Sequence, residues 1–178
     1  MTIRTDDRPV TVLETGRLVL AQLSGRDAEF ICGLLNEPSF LRYIGDRGVR
    51  TTDDARRYIL DGPIASYARY GFGLLRVGLK VSDTPIGICG VLKRDTLPEP
   101  DLGFSLLPAF WSNGYAQEAT SAVMQHARGP LGLGRILAIT SVDNEPSIRL
   151  LGKLDFRFER MIQLGDDTTE LRLFASEP

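Results

Sequence analysis

The spacing of apolar positions divides the chain into helices and strands. Apolar residues recur at helical spacing over residues 28–35, and again from about residue 52, where Gly62-Pro63 is expected to break or kink the second helix. From Gly71 the pattern changes to short runs of Val, Ile, Leu and Phe between turn residues. The predicted strands are 17–23, 72–79, 85–92, 101–107, 135–142, 156–164 and 169–174, and the later helices are 115–127 and 146–154. This order predicts an α/β fold with a mixed, largely antiparallel sheet flanked by helices.

Length and charge limit the classes of protein that fit. The 178 residues and 43% hydrophobic content suit one compact domain, placed at residues 10–176. Twenty-one Lys and Arg against 23 Asp and Glu give a net charge of -2, which argues against nucleic-acid binding and against binding to an anionic membrane. Monomer and homodimer are both compatible with these data.

The cysteines and the termini point to a reducing compartment. Cys32 and Cys89 are the only cysteines and form no CxxC pair, so both are expected to be small core residues and no metal site is expected. No stretch approaches the roughly 20 apolar residues of a membrane span, and residues 1–10 are polar rather than the apolar core of a secretion signal. We therefore expect a cytoplasmic protein.

The chemistry of the chain is concentrated where strand 101–107 turns into helix 115–127. The backbone N–H groups at a helix N-terminus favour anions, Gly114 lets a ligand approach the main chain closely, and Ala116 adds little bulk. Because no Lys-Ser/Thr pair follows the glycine, the turn is not the loop that binds a nucleoside triphosphate with magnesium. The turn therefore predicts a diphosphate site made by the backbone alone.

This turn resembles that of the GNAT family of N-acetyltransferases. Trp111-x-x-Gly114-x-Ala116 is similar to the family's Q/R-x-x-G-x-G/A turn, in the variant with Trp first that occurs in the RimJ/RimL-like branch. The run from Glu14 to Leu20 resembles the opening strand of that branch. Asn144-x-x-Ser147, with the residues up to Phe156, resembles its second cofactor motif, except that Gly152 replaces Glu and Asp155 replaces Gly.

The resemblance implies that the chain binds acetyl-CoA in a slot between two splayed parallel strands. Those strands are 101–107 and 135–142, and the pantetheine arm is expected to bond the backbone of the first. The implied cofactor contacts are Leu106, Leu107, Trp111, Ser112, Asn113, Gly114, Tyr115, Ala116, Asn144 and Ser147. Asn144 could also cap the helix that follows it. Backbone amides of strand 101–107 would polarise the thioester carbonyl.

The catalytic groups are less well defined. An acceptor amine must be neutral to attack, so a base is needed, and Asp101 is the first candidate, with Glu99 as the reserve. Many family members carry a Tyr that protonates the leaving thiolate, but this chain has Leu151 at that position. Ser147 could instead donate a hydrogen bond to the sulfur, or the thiolate could leave without an acid.

The resemblance implies direct acetyl transfer from acetyl-CoA to a primary amine. The RimJ/RimL-like branch favours the N-terminal α-amine of a protein, such as a ribosomal protein, while small amines and aminoglycoside-like substrates stay open. The wall of the acceptor site is expected between the first two helices, at Phe40, Tyr43, Ile44 and residues 45–48. The rival hypothesis is a non-catalytic module that binds CoA or acyl-CoA, since the Tyr is missing.

Overall fold

The structure is a computed structural model that describes residues 9–178. The expectation that the chain begins without a secretion signal concerns mainly residues 1–8, which lie outside the described residues. Within residues 9–178, no helix has both the length and the apolar character needed to cross a membrane.

Within residues 9–178, eight strands form one sheet in the order β1-β2-β3-β4-β5-β6-β8-β7. Neighbouring strands are antiparallel except for β5 and β6, which are parallel. The strands are β1 (Thr11–Glu14), β2 (Leu18–Gln22), β3 (Leu74–Leu79), β4 (Pro85–Leu92), β5 (Asp101–Leu106), β6 (Ile136–Ser141), β7 (Arg157–Ile162) and β8 (Leu171–Ser176). The predicted mixed, largely antiparallel sheet is therefore confirmed.

In the described part of the chain, six α-helices flank the sheet. They are α1 (Ala28–Leu35), α2 (Pro38–Tyr43), α3 (Thr52–Ile59), α4 (Ala65–Tyr70), α5 (Tyr115–Arg128) and α6 (Glu145–Lys153). The Gly62-Pro63 dipeptide lies in a π-helical turn, Leu60–Ile64, that joins α3 to α4. Because proline has no N–H to donate, the wider turn accommodates the break without ending the helical path.

Two layers of apolar side chains cover the two faces of the sheet. On one face, Ala119 and Val123 of α5 pack with Leu102 and Leu106 of β5. On the other face, α1 and α3 pack against the sheet, with Ile88 of β4 in the same buried cluster. The central strands are thus fixed on both sides, which holds β5 as a rigid wall for any ligand at its edge.

The parallel strands β5 and β6 separate soon after they begin. Their only paired position is Asp101 with Leu137, supported by a 2.9 Å bond from Leu137 N to Pro100 O. β6 continues to Ser141 paired only on its other side, with β8. A slot therefore opens between β5 and β6, and its closed end lies at Asp101.

Candidate functional site

A cavity of about 420 Å³ lies over the open end of this slot. Its floor is the second half of β5, one wall is the turn that leads into α5, and the facing wall is α6. Ser39, Tyr43 and Ile44, from α2 and the residue after it, complete the lining. Of the residues expected to form the acceptor wall, Tyr43 and Ile44 thus line the cavity. Phe40 is instead buried in the core.

The backbone of β5 presents unpaired groups to the slot. In an antiparallel pair, alternate residues turn their N–H and C=O groups toward the partner strand. Leu107 N donates to Ile86 O at 2.8 Å, which fixes the phase of this alternation between β4 and β5. Phe104 and Leu106 therefore turn their backbone groups away from β4 and toward the slot, where pairing with β6 has already ended.

This phase decides which backbone groups of β5 are free to bond a ligand in the slot. Leu107 has no free backbone group, because its N–H bonds Ile86 O and its C=O accepts Phe110 N at 3.0 Å. The Leu106 C=O is also engaged, since Trp111 Nε1 donates to it at 2.8 Å. Phe104, which the sequence did not single out, turns its backbone N–H and C=O toward the slot, and Leu106 keeps an N–H there.

The turn after β5 leaves unbonded backbone donors beside the cavity. Gly114 has φ of 79° and Ser112 has φ of 62°, both in the left-handed region. Gly114 is the N-cap of α5 and makes no side-chain cap, and Glu118 N is the first helix amide seen to bond back to it, at 3.0 Å. The N–H groups of Tyr115, Ala116 and Gln117 consequently lack an intrahelical acceptor, and these three residues line the cavity.

Residues of the hairpin between β1 and β2 stabilise the conformation of the turn. Arg17 Nη1 donates to Asn113 O at 2.9 Å, and the Arg17 guanidinium lies 4.5 Å from the centroid of the Tyr115 ring. Glu118 Oε2 accepts Arg17 Nε at 2.7 Å, and Glu118 Oε1 accepts Thr15 Oγ1 at 2.6 Å. We call Thr15, Arg17 and Glu118 the hairpin clamp.

The remaining residues of the turn have separate roles. Trp111, Ser112 and Gly114 line the cavity. Asn113 does not, because its side chain folds back to donate from Nδ2 to Trp111 O at 2.8 Å. Asn113 therefore shapes the turn rather than facing the cavity.

Asn144 and Ser147 meet at the first turn of α6, and both line the cavity. Asn144 Oδ1 accepts Ser147 N at 3.3 Å, so Asn144 caps the helix as the sequence allowed. Leu151 is fully buried in the main core, so it offers no chemistry to the site.

A buried hydroxyl on β6 lacks a partner. Thr140 is 7% exposed, and its Oγ1 makes no hydrogen bond. The pairing of Asp101 with Leu137 sets Thr140 level with Phe104, on the opposite side of the slot. An unsatisfied buried hydroxyl costs roughly 1–3 kcal/mol, but Thr140 is not among the residues that line the cavity. The groups that fit the amides and phosphates of coenzyme A are the slot-facing backbone of β5 and the unbonded amides of the turn into α5.

Asp101 lies at the closed end of the slot but does not line the cavity. Its side chain is fully buried, and Arg94 Nε donates to both carboxylate oxygens, at 2.9 and 3.0 Å. Burial raises the pKa of the Asp101 carboxyl, and the Arg94 charge partly offsets this rise. At about 3.3 Å per residue, Asp101 is about 16 Å along the strand from Leu106.

Other reactive groups lie away from the cavity. Glu99 is in the loop before β5 and does not line it. Cys89 is fully buried, which raises the pKa of its thiol, and neither cysteine lines the cavity. Within residues 9–178, no group of three or more His, Cys, Asp or Glu side chains is placed to hold a metal ion.

Comparisons with known proteins agree with this geometry. The sequence model of the acetyltransferase (GNAT) domain matches residues 17–157. The chain is 31% identical to the N-acetyltransferase YoaA of Bacillus subtilis (strain 168) over 157 residues, which cover 85% of this chain and 86% of that protein.

Two solved structures share the fold. The acetyltransferase from Agrobacterium tumefaciens str. C58 superposes with a TM-score of 0.79 at 22% identity, covering 93% of this chain and 94% of the other. RimL, the ribosomal L7/L12 α-N-protein acetyltransferase, in complex with coenzyme A, superposes with a TM-score of 0.78 at 15% identity, covering 94% and 97%. Together, the match to the family over residues 17–157 and the identity to YoaA show that this chain belongs to the GNAT family of acetyltransferases.

Proposed function

We propose that the protein transfers the acetyl group of acetyl-CoA directly to a primary amine, with the N-terminal α-amine of a protein as the favoured acceptor. The observation that carries the proposal is the slot between β5 and β6, which opens onto the unbonded amides of the turn into α5. Acetyl-CoA supplies the acetyl group as a thioester.

Different residues of the cavity would bind different parts of acetyl-CoA. The N–H groups of Tyr115, Ala116 and Gln117 face a diphosphate, and Phe104 and Leu106 offer backbone groups to the amides of the pantetheine arm. Asn144 and Ser147 face the same arm from α6. Backbone amides fixed in a sheet also polarise a carbonyl oxygen without rearrangement, which lowers the barrier to attack on it.

The proposed proton transfers use Asp101 and Ser147. Asp101, with its raised pKa, is a stronger base than an exposed aspartate; because it does not line the cavity, it would receive the proton of the amine through water molecules rather than directly. Glu99 is the reserve base. The Ser147 hydroxyl lines the cavity and would donate a hydrogen bond to the departing sulfur.

The charges of the cavity support an α-amine acceptor. No Asp or Glu is among the described residues that line it, so a polycationic aminoglycoside would find no carboxylate there. At pH 7 roughly a tenth of an α-amine is neutral, against less than about a thousandth of a lysine amine. A site whose candidate base is buried and paired with Arg94 is better suited to the amine that is already partly neutral.

The rival function is a non-catalytic module that binds CoA. The observations that favour it are the buried Leu151 in place of a tyrosine acid and the ion pair between Arg94 and Asp101. In this alternative the slot and the turn hold the ligand, and no proton acceptor reaches an amine.

Release of free thiol from acetyl-CoA separates the two functions. The acceptors would be a peptide with a free α-amine, its Nα-blocked counterpart with one internal lysine, a small amine and an aminoglycoside. We expect turnover with the free α-amine and a far lower rate with the blocked peptide. Tight CoA binding without turnover on any acceptor, unchanged in Asp101→Ala, would establish the module instead.

A further inference from the structure

The cavity has a charged corner that the thioester chemistry does not use. Arg149 and Lys153 are the only charged side chains among the described residues that line it. They lie four residues apart on α6, so their Cβ atoms lie about 6 Å apart on one face of the helix. The two cations therefore form one patch, which we call the α6 cation pair.

The α6 cation pair is available to a ligand. Within residues 9–178, neither residue forms an ion pair, and both are exposed. Glu145 precedes Arg149 by one helical turn but forms no ion pair with it, and it does not line the cavity. No carboxylate of the described residues therefore forms an ion pair with either cation.

The position of the pair along α6 indicates which part of a ligand it meets. The helix begins at Asn144 and Ser147, beside the slot, and ends at Lys153, whose Nζ lies 3.5 Å from Gln117 Oε1 in the first turn of α5. The Arg42 to Asp143 ion pair, at 2.9 Å, ties α2 to the residue before Asn144. The cation pair is thus at the diphosphate end of the cavity, away from the acceptor wall on α2.

We propose that Arg149 and Lys153 bind the 3′-phosphate of the coenzyme and make the enzyme select 3′-phosphorylated CoA over dephospho-CoA. The inference rests on the proposed function, in which the backbone of the turn holds the diphosphate. Coenzyme A carries a further phosphate on its adenosine ribose, beyond the diphosphate. A backbone-only diphosphate site does not distinguish the two forms, whereas guanidinium and ammonium groups beside it bind the additional dianion through charge-assisted hydrogen bonds.

The test is isothermal titration calorimetry of CoA and dephospho-CoA with the intact protein. The variants are Arg149→Gln, Lys153→Gln and the double variant, which keep side-chain length and helix propensity. The matched control is Arg69→Gln, an exposed arginine on α4 outside the cavity. Thermal unfolding of each variant checks that the fold is retained.

We expect wild type to bind CoA about tenfold or more tightly than dephospho-CoA, a size set by two solvent-exposed charge-assisted contacts. Each single variant should lose about threefold to fivefold in affinity for CoA, with unchanged affinity for dephospho-CoA. The double variant should bind both forms equally, and Arg69→Gln should behave as wild type. The wild-type preference should also fall as ionic strength rises.

Equal wild-type affinity for both forms would overturn the subsite and leave the proposed function intact. Equal losses for both forms in the variants would also overturn it, because the pair would then act on the diphosphate. A changed KM for the acceptor peptide with an unchanged preference for CoA would assign the pair to an acidic acceptor instead. Binding of neither form by wild type would refute the proposed function and this subsite together.

Discussion

Replacing Glu118 by Gln tests whether the hairpin clamp prepares the turn for the ligand. The carboxylate accepts from Thr15 Oγ1, from Arg17 N at 2.9 Å and from Arg17 Nε. Glutamine keeps one carbonyl oxygen for the first two donors but presents an NH₂ group to Arg17 Nε. The variant therefore loses one charge-assisted hydrogen bond and places the glutamine NH₂ donor opposite the Arg17 Nε donor.

The magnitude follows from the exposure of the two side chains. A hydrogen bond to a charged group contributes roughly 1.5–3 kcal/mol when shielded from water. The Arg17 side chain is 50% exposed and that of Glu118 is 20% exposed, so solvent screening reduces the expected loss to about 1 kcal/mol of unfolding free energy. The lost bond also positions Arg17 to donate to Asn113 O, which stabilises the conformation of the turn that binds the ligand. If the same energy, about 1 kcal/mol, is lost from that conformation, the Kd for CoA rises about fivefold.

Urea unfolding gives the stability of Glu118→Gln, and calorimetric titration gives its Kd for CoA. Glu170→Gln, exposed and outside any helix, is the matched control and should change neither quantity. A variant that loses about 1 kcal/mol of stability but binds CoA as tightly as wild type would refute the reasoning. The clamp would then stabilise the fold without preparing the turn.

Three further changes test other parts of the site. Trp111→Phe removes the bond to Leu106 O, so urea unfolding should show a loss of about 1 kcal/mol, and calorimetry should show weaker CoA binding; tighter binding would mean that the indole competes with the pantetheine arm. Ser147→Ala should lower kcat about tenfold or more with little change in the Kd for CoA; an unchanged kcat would remove Ser147 from the chemistry. Burial alone would raise the pKa of Glu118, but bonds from Thr15 and Arg17 outweigh it and hold this pKa below its usual 4.5. The stabilisation from Glu118 is therefore fully present above pH 4.5 and is lost as the pH falls through the lower folded pKa. The difference in unfolding free energy between wild type and Glu118→Gln should shrink there, and a constant difference would contradict the assignment.

The parts of the fold that depend on local sequence could be predicted. β4 and α1 have the bounds that the apolar spacing gave, and the other predicted strands differ by one or two residues at one or both ends. β1 was missed because it is only four residues long and nowhere fully buried, so it lacks a strong hydrophobic pattern. α2 was missed because a six-residue helix has too few turns to show a periodicity.

The geometry of the candidate site could be predicted where a single segment of the chain forms it. It was missed where the hydrogen-bond partners are distant in sequence. The turn at Gly114 and the cap at Asn144 follow from local residue types. The choice between Phe104 and Leu107 depends on the phase of bonding between β4 and β5, which no residue type encodes. The bond from Arg17 to Glu118 joins residues 101 apart, although both belong to segments that the sequence singled out.

Hydrogen exchange at single amides tests most directly whether coenzyme A binds along β5. The N–H groups of Phe104 and Leu106 face the slot, whereas those of Gly103 and Ser105 already face β4. In NMR measurements, saturating CoA should slow amide exchange at Phe104 and Leu106 and leave exchange at Gly103 and Ser105 nearly unchanged. Bound CoA with no added protection at Phe104 and Leu106 would contradict the account, because the ligand would then lie outside the slot.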